Sequence, residues 1–250
     1  MSTQQKVAIV TGGGRDIGKA ISIKLASMGV KVVINYLNNR DEAATTQEEI
    51  LKMGGEAILV KADVTNWEDI QNMIAATQEA FGPKIDVLVN NAGGLIARKT
   101  IDMMDEEFWD KVIGLNLKSV FMMTKAVVPH MSHGASIVNL ASQAGRDGGG
   151  GGASAYATAK GAVMTFTRAM AKELGPKGIR VNALCPGMIS TTFHDVFTND
   201  EIRTKVASST PLKREGEAKE VADLVGYLAN GEASFVTGTN IDINGGLFFS

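Results

Sequence analysis

Apolar positions along the chain follow two rhythms. Short, continuous, largely β-branched runs alternate with longer stretches in which apolar residues recur every three or four positions. Lys6-Val7-Ala8-Ile9-Val10-Thr11 is the first short run, and it stops at Gly12-Gly13-Gly14. The longer rhythm then begins, with Ile17, Ala20, Ile21, Ile23, Leu25 and Met28 apolar and Gly29 as the stop. Lys31 to Tyr36 repeats the strand pattern, so the first unit reads as βαβ. Helices are predicted over 41–53, 66–81 with Asn66 as cap, 105–131 and 217–229, with one more around Tyr156. Strands are predicted over 57–60, 85–90, 136–140, 178–184 and 240–243. Strands alternating with helices of this length predict a parallel sheet of about seven strands covered on both faces.

A strand, a glycine turn and a helix in succession give the Rossmann-type, doubly wound version of this α/β class. Glycines let the backbone approach a pyrophosphate, and the helix N-terminus supplies N–H donors and a positive dipole end. No solenoid-length repeat and no linker divides the chain, so residues 1–250 are expected to form one domain. The five glycines Gly148–Gly152 are too few to join domains and are expected to form a mobile loop beside the Tyr156 helix.

Composition narrows the function. With 25 basic against 27 acidic residues and no long block of either sign, neither nucleic acid nor a membrane surface is an expected partner. A lone Cys185 excludes an internal disulfide. No apolar run approaches the ~18 residues of a membrane span, and Met1 to Lys6 lacks a secretory core. A cytoplasmic location is the expectation. His130 and His133 lack a third ligand nearby, so no metal site is expected.

The chemistry gathers at Ser154-Ala155-Tyr156-Ala157-Thr158-Ala159-Lys160. Four residues apart on a helix, Tyr156 and Lys160 share a face. A tyrosine titrates near pH ~10 in water, and a neighbouring ammonium favours the phenolate. The pair therefore reads as a tunable proton donor, or as two side chains of a solvated helix.

With these residues placed, the chain resembles the short-chain dehydrogenases/reductases over nearly its whole length. Thr11-Gly12-Gly13-Gly14-Arg15-Asp16-Ile17-Gly18 is similar to the family's glycine turn, with Asp16 where the family has its middle glycine. That aspartate either sits in the first helical turn, where the dipole favours it, or repels the cofactor phosphates. Asp63-Val64 resembles the adenine-contacting pair, and Asn90-Asn91-Ala92-Gly93 the turn after the fourth strand. Pro186-Gly187-Met188-Ile189-Ser190-Thr191 resembles the segment that holds the nicotinamide carboxamide. The resemblance implies a catalytic set of Asn116, Ser142, Tyr156 and Lys160, a nicotinamide cofactor and a small-molecule carbonyl substrate. In it Tyr156 exchanges the proton, Ser142 binds the substrate oxygen, Lys160 also holds the nicotinamide ribose, and Asn116 anchors a water.

At the tip of the second strand, Asn35-Tyr36-Leu37-Asn38-Asn39-Arg40 offers no acid for a ribose diol. Arg15 and Arg40 are available to a 2′-phosphate, so NADP(H) is favoured and NAD(H) also possible. The resemblance places a substrate lid at about 188–212, which carries His194. Gly94, Arg98, Lys99 and Gln143 border the same cleft, and Arg98 with Lys99 could bind a carboxylate or simply belong to a surface loop.

Two segments, Asn90–Lys99 and Ser190–His194, resemble bacterial reductases of 4-deoxy-L-erythro-5-hexoseulose uronate, which implies a small sugar-acid substrate. The alternatives are a 3-oxoacyl-carrier-protein reductase and, from another class, a non-catalytic dinucleotide-binding regulator. The apolar tail Gly245–Ser250 and the resemblance together imply a homotetramer.

Overall fold

The computed structural model describes residues 5–249. Met1–Gln4, part of the start expected to lack a leader, and Ser250 of the apolar tail lie outside them.

The chain begins with β1 (Val7–Val10), α1 (Asp16–Ser27), β2 (Lys31–Tyr36), α2 (Arg40–Lys52), β3 (Ala57–Lys61), α3 (Trp67–Phe81) and β4 (Val87–Asn90). It continues through α4 (Glu106–Ile113), a π-turn (Gly114–Lys118), α5 (Ser119–Val127), β5 (Ser136–Leu140), α6 (Ala144–Asp147), α7 (Ser154–Leu174) and β6 (Arg180–Pro186). The last part contains β7 (Ile189–Ser190), α8 (Thr192–Phe197), α9 (Asp200–Ser209), β8 (Gly216–Glu217), α10 (Ala218–Ala229) and β9 (Asn240–Ile243).

Seven strands form one parallel sheet in the order β3-β2-β1-β4-β5-β6-β9, as the alternating pattern predicts. Its strands are apolar on both faces because helices cover both. Ala8, Val10, Val32, Ile34, Val87 and Val89 point to the side where Ile21 and Leu25 of α1 meet Val221 and Val225 of α10. Ile9, Val33, Leu88, Ile137 and Val181 point to the other, against Ile70 and Met73 of α3 and Met123 and Val127 of α5. Winding reverses between β1 and β4, so a crevice opens beyond their carboxyl ends.

Three local features differ from the sequence pattern. The helix expected over 105–131 is interrupted by the π-turn at Gly114–Lys118. There the Asn116 amide donates to the Val112 carbonyl at 2.9 Å, an acceptor that a regular helix gives to the Asn116 backbone N–H. Glu106–His130 is also apolar enough over an 18-residue window to cross a membrane by length and composition, contrary to expectation, but half of that window is buried in the fold. The five-glycine loop is tied down: Arg98 Nη1 donates to the Gly151 carbonyl at 2.9 Å, and the Lys99 N–H to that of Gly152 at 3.1 Å.

The predicted cap of α3 is present, with Asn66 Oδ1 accepting from the N–H groups of Glu68 at 2.9 Å and Asp69 at 3.2 Å. Asn66→Ala is expected to lower the unfolding free energy by about 1 kcal/mol. Denaturant titration checks this, and an unmoved midpoint would show that the cap carries no weight.

Candidate active site

The floor of the crevice is made by two loops joined edge to edge. At the end of β1 the Thr11 hydroxyl accepts from the N–H groups of Asn91 and Ala92, both at 2.9 Å, and donates to the Val89 carbonyl at 3.3 Å. In return the Asn91 amide donates to the carbonyls of Thr11 at 2.9 Å and Gly12 at 3.1 Å. Gly12 has φ +60°, and a Cβ on Gly18 would fall on the Gly12 carbonyl, so the turn needs glycine at both places. Asn35, 2 % exposed, accepts from the Gly12 N–H at 3.1 Å and donates to the Ala62 carbonyl at 2.9 Å. It shapes the turn as well as lining the groove.

Helix α1 starts here without a side-chain cap, so its first-turn N–H groups are free to receive an anion. Ile17, Gly14, Tyr36 and Asn38 stand on the same wall. Asp16 begins α1 at φ +50°, and its carboxylate is turned toward Thr192. A glycine cradle, an uncapped helix start and a groove of 1040 Å³ fit a dinucleotide.

The groove's other end brings together the expected Ser142, Tyr156 and Lys160. Tyr156 and Lys160 lie one turn apart on α7, and Ser142 follows β5. Ser142, Tyr156 and Lys160 all line the groove. Lys160 Nζ donates to the Leu140 carbonyl at 2.7 Å and lies 5.7 Å from the centre of the Tyr156 ring. Burial pulls its pKa down to about 8. The expected lowering of the Tyr156 pKa by Lys160 is therefore not what dominates. Burial pushes the phenol up, because desolvating a phenolate outweighs the opposing hydrogen bond from Ser142.

Asn116 is wholly buried in the π-turn. Its Oδ1 accepts from the Gly94 N–H and its amide donates to the Gly94 carbonyl, both at 2.9 Å. A Cβ on Gly93 would come within 2.7 Å of that Oδ1 and 3.1 Å of Lys160 Nζ. Asn116 thus holds the Gly93–Gly94 loop against the lysine from behind the wall.

The segment from Pro186 to Thr191 closes one side, with the Gly187 N–H on the Ile243 carbonyl at 3.0 Å and the Thr191 hydroxyl on the Ile189 carbonyl at 3.1 Å. Helix α8 lies over the end of the groove that holds Tyr156. Its Phe193 ring is 6.1 Å from that of Tyr156 and 5.0 Å from that of His194. His194 bonds the Thr198 hydroxyl at 3.0 Å, and burial lowers its pKa. Gln143 donates to Asp147 at 2.9 Å, and its Oε1 is buried with no partner.

Several expected residues stand away from the groove wall. Arg40 is exposed at the start of α2. Asp63 Oδ1 accepts from the N–H and hydroxyl of Thr65 at 2.8 and 2.7 Å, and Val64 is in the core. Asn90 donates to Asn139 at 2.8 Å inside the sheet. The two adjacent cations also separate. Lys99 pairs with Asp105 at 3.0 Å, while Arg98 stays on the wall with donors on the Phe197 and Gly151 carbonyls at 3.3 and 2.9 Å. Among the described residues no cluster of three His, Cys, Asp or Glu could hold a metal. The sequence reading missed the apolar lining by Leu95, Ile96, Phe193, Val196, Phe197 and Leu247. Its only signal was the apolar residues scattered through the flanking loops.

Comparisons with known proteins cover nearly the whole chain. A family profile described as enoyl-(acyl carrier protein) reductase matches residues 12–248. The 3-oxoacyl-(acyl-carrier-protein) reductase of Staphylococcus epidermidis is 38% identical over 246 residues, 97% of this chain and 99% of that one. That of Synechocystis sp. is 42% identical over 246 residues, covering 97% and 96%. A dehydrogenase/reductase from Sinorhizobium meliloti 1021 superposes with a TM-score of 0.92 at 32% identity, covering 98% and 96%. A short-chain dehydrogenase/reductase from Serratia marcescens gives 0.92 at 32%, covering 98% of both chains.

The buried lysine has a thermodynamic signature. Its pKa falls from 10.5 in the unfolded chain to about 8, so between those values the unfolded chain holds a proton that the folded protein does not. Stability is expected to rise with pH across that window, relative to Lys160→Met, which lacks the titration. Denaturation of both proteins at a series of pH values measures the difference, and parallel profiles would contradict the assignment.

Proposed function

We infer the function from one premise: the chain belongs to the short-chain dehydrogenase/reductase family. It is an NAD(P)-dependent oxidoreductase. We propose that it reduces the keto group of a 3-oxoacyl thioester. The observation that carries this is Ser142, Tyr156 and Lys160 meeting at one end of a glycine-floored groove whose remaining wall, beneath α8, is largely apolar. An acyl chain suits that wall, and the relatives named above support the same substrate class.

A nicotinamide bound along the glycine floor would supply the hydride. Ser142 donates a hydrogen bond to the substrate oxygen, where negative charge grows as the carbonyl is reduced. Tyr156 gives that oxygen its proton. Its raised pKa keeps the phenol protonated at neutral pH, ready to act as an acid. Lys160 places a cation behind the phenol, steadying the phenolate left after transfer, and reaches the ribose side of the groove. Asn116 holds Gly94 and so fixes the loop that faces Lys160. We place the substrate lid at 188–212, the strip that carries α8 and α9.

A second reading is a small keto acid such as 4-deoxy-L-erythro-5-hexoseulose uronate. The unpartnered Gln143 Oε1 and the groove-lining His194 favour it, as polar groups that could meet hydroxyls. Arg98 favours it less, because its guanidinium already serves two carbonyls. The complete Ser142, Tyr156 and Lys160 set speaks against a regulator without turnover. Exposed Phe235 and Phe249 support self-association, as a tetramer by family resemblance.

At the adenosine end Arg15 faces two carboxylates, Asp16 at 3.8 Å and Glu42 at 4.0 Å. With Arg40 off the wall, we read this balance as admitting both NADP(H) and NAD(H).

Steady-state rates with acetoacetyl thioesters and with the uronate decide the substrate, and turnover of the uronate alone would remove the acyl reading. Tyr156→Phe is expected to lower kcat by about 10²–10⁴-fold with cofactor binding retained; unchanged turnover would mean another group supplies the proton. Glu42→Gln is expected to lower KM for NADPH relative to NADH, and Arg15→Ala to raise it. Equal effects on the two cofactors would place the 2′-phosphate elsewhere.

A further inference from the structure

Asp16 stands where the family has a glycine, and the fold gives its carboxylate a definite partner. The residue sits at φ +50°, in the left-handed region that costs an L-residue energy and that glycine enters freely. Its Oδ1 accepts from the backbone N–H of Thr192 at 3.1 Å and its Oδ2 from the Thr192 hydroxyl at 2.5 Å. Arg15 Nη1 reaches the same hydroxyl at 3.4 Å.

What is held there is the first residue of α8. At six residues this helix is too short to persist on its own hydrogen bonds, and its N-cap Thr191 supplies no side-chain acceptor. The missing cap comes instead from Asp16, 176 positions away. At the far end Arg98 Nε donates to the Phe197 carbonyl at 3.3 Å. Both ends of α8 are thus fixed by side chains from opposite walls of the groove. Between them Phe193 lies over the Tyr156 ring.

We propose that Asp16 is a positioning residue that fastens α8 to the phosphate-binding turn, so that the cover over Tyr156 and the turn beneath the dinucleotide move as one body. Backbone strain kept for the sake of a carboxylate is the mark of a functional constraint. This inference rests on the reading of the groove as a dinucleotide-and-carbonyl site. Its consequence is that substrate enclosure depends on a residue at the cofactor end of the groove.

Amide hydrogen exchange across 192–198 tests it in the wild type, Asp16→Gly and Asp16→Asn, without added ligand. Loss of the charge-assisted bonds in Asp16→Gly is expected to speed exchange there by about tenfold or more. The amides of α7 should keep their rates, and Tm should not fall, since glycine relieves the left-handed strain. Asn tolerates that backbone and keeps one acceptor oxygen, so it should restore most of the protection. With an acetoacetyl thioester, Asp16→Gly should raise substrate KM about fivefold while kcat stays within about twofold, and Asp16→Asn should recover it. Unchanged exchange at 192–198 in Asp16→Gly overturns the proposal. So does faster exchange spread over the whole chain with a lowered Tm, which would make Asp16 a general structural residue. If the wild type reduces no thioester but the local exchange effect is present, the substrate reading fails and the fastening stands.

Discussion

A parallel sheet leaves a gap where two neighbouring strands send their chains to opposite sides, and the organisation of this protein depends on how that gap is bridged. From β1 the chain winds outward to β2 and β3, and from β4 it winds the other way. Two loops therefore end face to face. The Thr11 hydroxyl spans them, taking two N–H groups from one loop and giving its proton to a carbonyl at the end of β4. Leaving such buried groups unpaired would cost about 1–3 kcal/mol each. Because the bridge satisfies them, the glycine turn and the Gly93 loop form one rigid floor, and everything placed over it inherits a fixed distance from Tyr156.

The charges above that floor answer to burial as much as to each other. Lys160 and Tyr156 share a face of α7, yet burial shifts each toward its neutral form. The lysine is held by a carbonyl and kept some distance from the ring. In the proposed mechanism the ammonium is therefore a neighbour to the phenolate left after proton transfer. It does not create one beforehand.

Much of this was legible in the sequence because sheet strands and their covering helices are specified locally. Runs such as Val7–Val10 and Ser136–Leu140 are buried throughout, and such runs can be read without knowing their partners. Asn66 could be recognised as a cap for the same reason. The π-turn at Asn116 was not legible, since it depends on Gly94, which lies in a separate loop. Helix α8 was not legible either: its cap lies 176 residues away, and no local pattern reveals that. Arg98, Lys99 and Asp63 were chemically sound candidates. In the structure their charges also meet carbonyls, a carboxylate and a threonine of the chain itself.

The π-turn also separates two demands on one helix. In a regular helix each added residue rotates the downstream half by about 100°. Here the extra residue is taken up in one wider turn, so Phe108 and Val112 on α4, which pack toward Ala155, and Met123 and Val127 on α5, which face the sheet, keep their angular phase across it. The same turn frees the Val112 carbonyl to receive the Asn116 amide and lets that side chain clasp Gly94. The added residue thus serves the neighbouring loop without disturbing either apolar stripe.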